Sequence, residues 1–178
     1  IVNYAISELD KMNQEYAVTY AKKYREFVEK RYFKNMSDLK NAEISLEQFQ
    51  NETGIYAIPE QIEGAFRAYA ELETQLSLRE LERDLVRETQ GDNNPGYRNA
   101  ETQVKLLKNK IKELKEGKSA NESIVFLKLN DLPKVQLRFL QIKRELEIQA
   151  KLLEFTLPMY EQAMMEEQKN IPAITVID

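Results

Sequence analysis

From Asn3 to Thr53 the chain contains neither proline nor glycine, and that restricts the fold more than any motif does. Nothing in the segment breaks a helix. Apolar residues recur at Ile6, Leu9, Tyr16, Tyr20, Tyr24 and Phe27, and then at Tyr32, Met36, Leu39, Leu46 and Phe49. Steps of three and four, with an occasional seven, put them on one helical face. At 1.5 Å rise per residue such a helix reaches roughly 75 Å. A rod of that length does not fit inside a compact globule of 178 residues. It has to lie against equally long partners, from its own chain or from neighbouring copies.

Gly54 stands in the C′ position that ends helices, and Ile55 to Pro59 reads as a short extended link. Pro59 opens a second helix, about 59–90, with Glu60 and Glu63 favouring its dipole. Its apolar set is Ile62, Phe66, Tyr69, Leu72 and Leu76, then Leu78, Leu81 and Leu85. Arg79 and Arg83 fall where apolar residues are due, which predicts a far end that is more exposed or meets a different partner. The run from Gly91 to Gly96 is the clearest turn in the chain.

A third helix, about 97–116, follows with Val104, Leu107, Ile111 and Leu114 at heptad spacing. Residues 117–130 read as a loop whose apolar patch, Ile124 to Leu127, folds back onto the helices. A fourth helix, about 132–170, carries Val135, Phe139, Ile142, Leu146, Ala150, Leu153, Leu157, Tyr160 and Met164. Pro158 lies inside it and is expected to kink it near residues 154–158. From Ile171 to Asp178 the pattern changes to β-branched residues after a proline, as in a single strand. One strand cannot pair its own backbone, so it is expected to join a sheet supplied from elsewhere. Both ends of the chain read as cut from a longer protein. The fold expected is mainly α. Residues 1–170 form a long antiparallel helical hairpin or coiled-coil arm, and residues 171–178 form one strand returning to a truncated α/β base.

Composition narrows the chemistry. The chain has no histidine and no cysteine, so serine and cysteine triads, zinc sites and the Glu-x-x-His sites of di-iron bundles cannot be built. No enzyme activity, cofactor or metal is expected. Charged residues make up 31% of the chain and the net charge is −4, without a basic stripe; a nucleic-acid partner has little electrostatic support. No stretch approaches the roughly 18 to 20 apolar residues that cross a bilayer.

Smaller signals have plain explanations. Gly117-Lys118-Ser119 ends like a phosphate-binding loop, but Lys112 stands where the motif needs its first glycine and a charged helix precedes it. Carboxylates such as Glu80, Glu82 and Asp84, or Glu161, Glu166 and Glu167, fit i,i+4 pairing on exposed helices better than a dry acid–base pocket. Arg79, Arg83 and Arg87 form a row that a polyanionic glycan would contact, with a solvated face as the plainer use. The ladder Tyr16, Tyr20, Tyr24, Phe27 can stack on sugars, yet it continues an apolar stripe and reads first as a helix–helix seam. Asn35, Asn51 and Asn121 each begin an Asn-x-Ser/Thr triplet, a pattern common by chance in polar chains.

The order of features resembles a family. Leu132-Pro133 through Leu140, then Arg144-Glu145 within Lys143 to Ile148, Tyr160 to Ala163, and Ile171-Pro172 through Val176 to Asp178 resemble the carboxy-terminal half of chain-length determinant proteins. These are the Wzz-type and related GumC-type polysaccharide co-polymerases. Leu39 to Glu43, Leu46 to Phe49 and Gly54-Ile55 are similar to the long arm of that family, and Asn94-Pro95 to the break before its next helix. The resemblance covers nearly the whole chain. It implies an inner-membrane protein with two spans absent from these 178 residues and a large periplasmic domain with an α/β base and a protruding helical hairpin. It also implies assembly into a homo-oligomer that works with a polysaccharide polymerase and export machinery, with a glycan as a further partner. The rival expectation is the helical hairpin of a periplasmic adaptor protein of an export system. A third is a cytosolic enzyme fragment using carboxylates.

Overall fold

The computed structural model describes residues 2–57, 60–115 and 133–170, and among these the protein is helical apart from short connections. Helix α1 spans Val2–Thr53, α2 Glu60–Gln90, α3 Pro95–Lys115 and α4 Lys134–Asn170. The four expected helices all exist within two residues of their expected bounds. The strand expected over residues 171–178, the loop over 117–130 and the phosphate-loop look-alike at 117–119 lie outside the described residues.

Four of the helix ends have a visible local cause. Gly54 (φ 68°) and Gly91 (φ 84°) take the left-handed conformation after α1 and α2. Their amides donate back to the carbonyls of Gln50 (2.8 Å) and Arg87 (3.0 Å), so the last turn is closed. Asn94 caps α3: its Oδ1 accepts from the amide of Gly96 at 2.7 Å, and Pro95 occupies the first helical position, where no amide is needed. The carbonyl of Pro133 accepts the first bond of α4, from the amide of Leu137 at 3.0 Å. Pro158 does not end α4. It and Glu154 are both exposed, so the carbonyl that loses its amide partner lies on the solvent side.

The longest seam joins the first helix to the last. Arg25 meets Glu167, Tyr32 meets Tyr160, Asn35 meets Thr156, Phe49 meets Phe139 and Glu52 meets Arg138. Each step forward along α1 is matched by a step back along α4, an antiparallel register held over about seven turns. Buried positions on α1 are Ala21, Val28, Asn35, Ala42 and Phe49, every seventh residue. On α4 they include Gln149, Thr156 and Ala163, again seven apart. This is the repeat of a coiled-coil seam.

The remaining pairs continue the same alternation. Arg31 of α1 reaches Asp84 of α2, so α2 runs back along α1. Arg83 and Glu80 of α2 meet Glu101 and Lys108 of α3, which again runs antiparallel. Phe66, Tyr69 and Ala70 of α2, Ile111 of α3 and Leu140 of α4 form one buried cluster, with Leu72 and Leu76 packed against it. Three helices therefore share a core at the end where α2 begins. Val104, Ile111 and Leu114 of α3 are buried as their heptad spacing requires.

The apolar stripe expected on α1 is corrected in two ways. Its first third is uncovered, with Ile6, Leu9 and Tyr16 between 55% and 65% exposed. Farther along, Ala21, Val28, Asn35 and Ala42 occupy the central line, of the expected stripe only Phe49 lies on it, and Tyr24, Phe27, Tyr32, Leu39 and Leu46 flank it half-buried. On α4, Val135, Ala150 and Leu157 are exposed, whereas Leu140, Ile148, Leu152 and Thr156 are buried. The reason is that α4 packs on two neighbours, α1 and α2. Its buried surface is wider than one stripe and turned relative to the line that apolar spacing alone selects.

Candidate functional site

Two polar assemblies stand out on this frame, and both involve arginine. The first surrounds Arg144, in the first third of α4. Its Nε lies 3.0 Å from Glu73 Oε2 of α2, and its guanidinium sits 5.8 Å from the centre of the Tyr69 ring while Nη1 approaches Tyr69 Oη at 3.4 Å. Tyr69 in turn donates from its hydroxyl to Glu73 one turn on. The Arg144 Nε proton is buried and not aligned on the carboxylate. The Nε contact is therefore electrostatic, with the planar group held over the ring. The arrangement ties α4 to α2 beside the Leu140 cluster.

Tyr160, one of the residues carried by the family resemblance, belongs to the opposite face of α4. Its ring stacks on Tyr32 (centroids 5.1 Å, 13° between planes), meets Phe33 edge-on at 5.9 Å, and its hydroxyl donates to Glu29 at 3.3 Å. Partial burial, with Glu29 next to it, raises the Tyr160 pKa above its ordinary value. Burial, Glu166 and Tyr20 do the same for Tyr24. Arg25 sits between Glu29 and Glu167; burial lowers its pKa, and the two carboxylates more than offset that, so the net shift is upward. Glu145 is exposed and accepts from Gln149 Nε2 at 2.9 Å. Pro133 is exposed at the start of α4. Leu140, Arg144 and Tyr160 thus hold helices together, Glu145 bonds only within α4, and the four do not converge on one site. Leu132, Pro172, Val176 and Asp178 lie outside the described residues.

The second assembly is an open cleft of about 710 Å³ between α1 and the end of α2. Lys23, Lys30 and Lys34 line it from α1, and Arg83 and Arg87 line it from α2. Phe27 forms its apolar part, with the Arg31 guanidinium 5.5 Å from the ring centre. Asp84 fastens the walls: it accepts from Arg31 at 2.6 Å and from Arg83 at 2.7 Å, and Arg83 also reaches Glu101 of α3 at 3.3 Å. Burial lowers the Arg83 pKa, but its bonds to Asp84 and Glu101 outweigh this and raise it. Glu26 and Glu88 complete the lining.

Sequence reasoning placed Arg83 and Arg87 on a row with Arg79. The structure instead turns Arg79 away to pair with Glu82, and brings the other two opposite Lys23, Lys30 and Lys34, far earlier in the chain. The Tyr16, Tyr20, Tyr24 ladder is stacked along α1, with centroids 6.4 and 6.2 Å apart, but its first ring is exposed and seats on no partner helix. Among the described residues no group of three acidic side chains is placed to hold a metal ion, and no helix is long and apolar enough to cross a membrane. Comparison with protein-family models, curated proteins and solved structures gives no match to this chain.

Proposed function

We propose that this chain is the helical arm of an oligomeric, non-catalytic scaffold that regulates chain length, or assists polymerisation and export, of a bacterial surface polysaccharide. In this reading the arm stands at the periplasmic face of the inner membrane, anchored by spans outside the 178 residues. The sequence resemblance described above supplies the polysaccharide and the membrane. The observation that carries the scaffolding part is the overhang of α1.

With Arg25 paired to Glu167, the described part of α4 ends near Tyr20, and α1 runs on past it by about 27 Å. Along that overhang Tyr4 is 75% exposed, and Ile6, Leu9, Met12 and Tyr16 are each more than half exposed. Large apolar side chains on successive turns of one helix are an association surface, and a second copy of the chain is the occupant we assign. The buried heptad on the rest of α1 stiffens the rod that presents them.

An adaptor hairpin is the competing reading. It needs two consecutive helices paired along their length, whereas here the long seam joins α1 to α4, with α2 and α3 folded between.

Sedimentation of the wild-type chain and of a Leu9→Lys/Tyr16→Lys variant tests the scaffold. The variant should keep its helix content and lose assembly, since both side chains are more than half exposed. A wild-type chain that is monomeric at every concentration removes the support for this reading.

A further inference from the structure

We propose that the cleft between α1 and the end of α2 binds a strand of acidic polysaccharide through carboxylate-bearing sugars. The choice of a glycan rests on the polysaccharide reading above; the anion site rests on the cleft alone.

The argument begins with which cations are already satisfied. Arg25, Arg31, Arg79, Arg83, Arg138 and Arg144 each contact at least one carboxylate. Of these, Arg31 and Arg83 line the cleft; its other basic residues, Lys23, Lys30, Lys34 and Arg87, have no acidic partner within ion-pairing distance among the described residues. Six basic side chains face three acidic ones there, in a chain whose net charge is −4. The positive character is therefore local and opposite in sign to the molecule. The spacing of the three lysines keeps them on one side of α1, and Lys23 and Lys34 are about 16 Å apart along the axis. A single phosphate cannot span that length; an extended anion with well-separated charges can.

The walls are fixed before any ligand arrives. Arg31, Arg83, Asp84 and Glu101 bond α1, α2 and α3 together at the base of the cleft, so the ordering cost on binding falls mainly on the lysine side chains. The remaining lining separates glycan from nucleic acid. Glu26 and Glu88 repel a backbone with a charge on every residue, but they accept hydrogen bonds from sugar hydroxyls. Phe27 offers an apolar surface to the C–H face of a sugar ring. Alternating donors, acceptors and one apolar contact match a hydroxylated strand with a carboxylate on only some of its units.

The test uses the full chain and three probes of equal length: a partly methyl-esterified oligogalacturonate with free carboxylates on only some of its units, a neutral oligodextran and an oligothymidylate. Titration by calorimetry or amide NMR should show binding of the oligogalacturonate and none of the dextran, with affinity falling as salt is raised. Lys30→Glu/Arg87→Glu should weaken it by about tenfold or more through charge reversal in the cleft. Lys40→Glu/Lys110→Glu, which makes the same change in net charge at exposed positions outside the cleft, should leave it within about twofold. Equal losses in the two variants, or no binding by wild type, overturn the site. Thymidylate binding as tight as galacturonate overturns the glycan assignment. The scaffold reading is judged separately by sedimentation. A chain that assembles but ignores galacturonate keeps that reading and loses this one, and a monomeric chain that binds does the reverse.

Discussion

Asn35 of α1 donates from Nδ2 to Thr156 Oγ1 of α4 at 3.3 Å, and both residues are buried at the middle of the longest seam in the molecule. The same Thr156 hydroxyl donates to the carbonyl of Leu152 at 2.8 Å. A polar pair at a buried heptad position fixes which residues face each other, because any slip of the register would leave the amide without a partner.

The pair is expected to act as a unit. Asn35→Ala should cost about 1–3 kcal/mol, since it opens a cavity and removes a buried hydrogen bond. Asn35→Leu combined with Thr156→Val should recover most of that stability, because both polar partners leave together. Urea unfolding of wild type, Asn35→Ala, Thr156→Val and the Asn35→Ala/Thr156→Val variant closes a double-mutant cycle, with an expected coupling of about 0.5–1.5 kcal/mol. Additive losses would mean that the contact contributes nothing to stability.

Arg144 is predicted to stabilise the junction of α4 with α2. Arg144→Ala removes both the Glu73 contact and the group packed over Tyr69, at an expected cost of about 1.5–3 kcal/mol. Arg144→Lys keeps the charge but not the planar group, so it should lose a part of that. Thermal and urea midpoints for the two variants give the comparison. An alanine variant within about 0.5 kcal/mol of wild type would place Arg144 among the neutral surface residues.

Alkaline stability should carry a tyrosine signature. Burial, Glu166 and Tyr20 raise the folded-state pKa of Tyr24 above 10.0, its value in the unfolded chain. The folded state therefore holds this proton more tightly. Its contribution is fully present below pH 10 and is lost as pH rises from there through the folded pKa. Tyr24→Phe keeps the ring and removes the titrating group. The difference in unfolding free energy between wild type and Tyr24→Phe should be constant at neutral pH and shift above pH 10 against the wild type. A difference that stays flat throughout the alkaline range would show that Tyr24 titrates as it does in the unfolded chain.

The helices were legible because their boundaries are written in local chemistry. Gly54 and Gly91 stop two of them in a backbone conformation that glycine adopts at no steric cost, and Asn94-Pro95 starts another. The heptad Val104, Leu107, Ile111, Leu114 was legible because α3 is the shortest helix and its apolar line is plain. The central line of α1 was not. Ala21, Asn35 and Ala42 are buried because α4 approaches closely there, and neither alanine nor asparagine announces burial in a charged helix. The large residues that drew attention, Tyr16 and Met36, are 65% and 43% exposed. Of the cleft, Phe27, Arg83, Asp84 and Arg87 stand out in the sequence; Lys23, Lys30 and Lys34 resemble any other surface lysines.

The sequence by itself determined a mainly helical chain and the approximate places where its four described helices begin and end. Helix propensity, glycine conformation and capping act over a few residues and need no partner. Only the tertiary structure decided that α1 seats on α4 and not chiefly on its neighbour α2, that Asn35 finds Thr156, and that Lys23, Lys30 and Lys34 face Arg87 across a cleft. Those outcomes depend on which helical faces meet across more than fifty residues of intervening chain, and periodicity within a single helix carries no record of its partner.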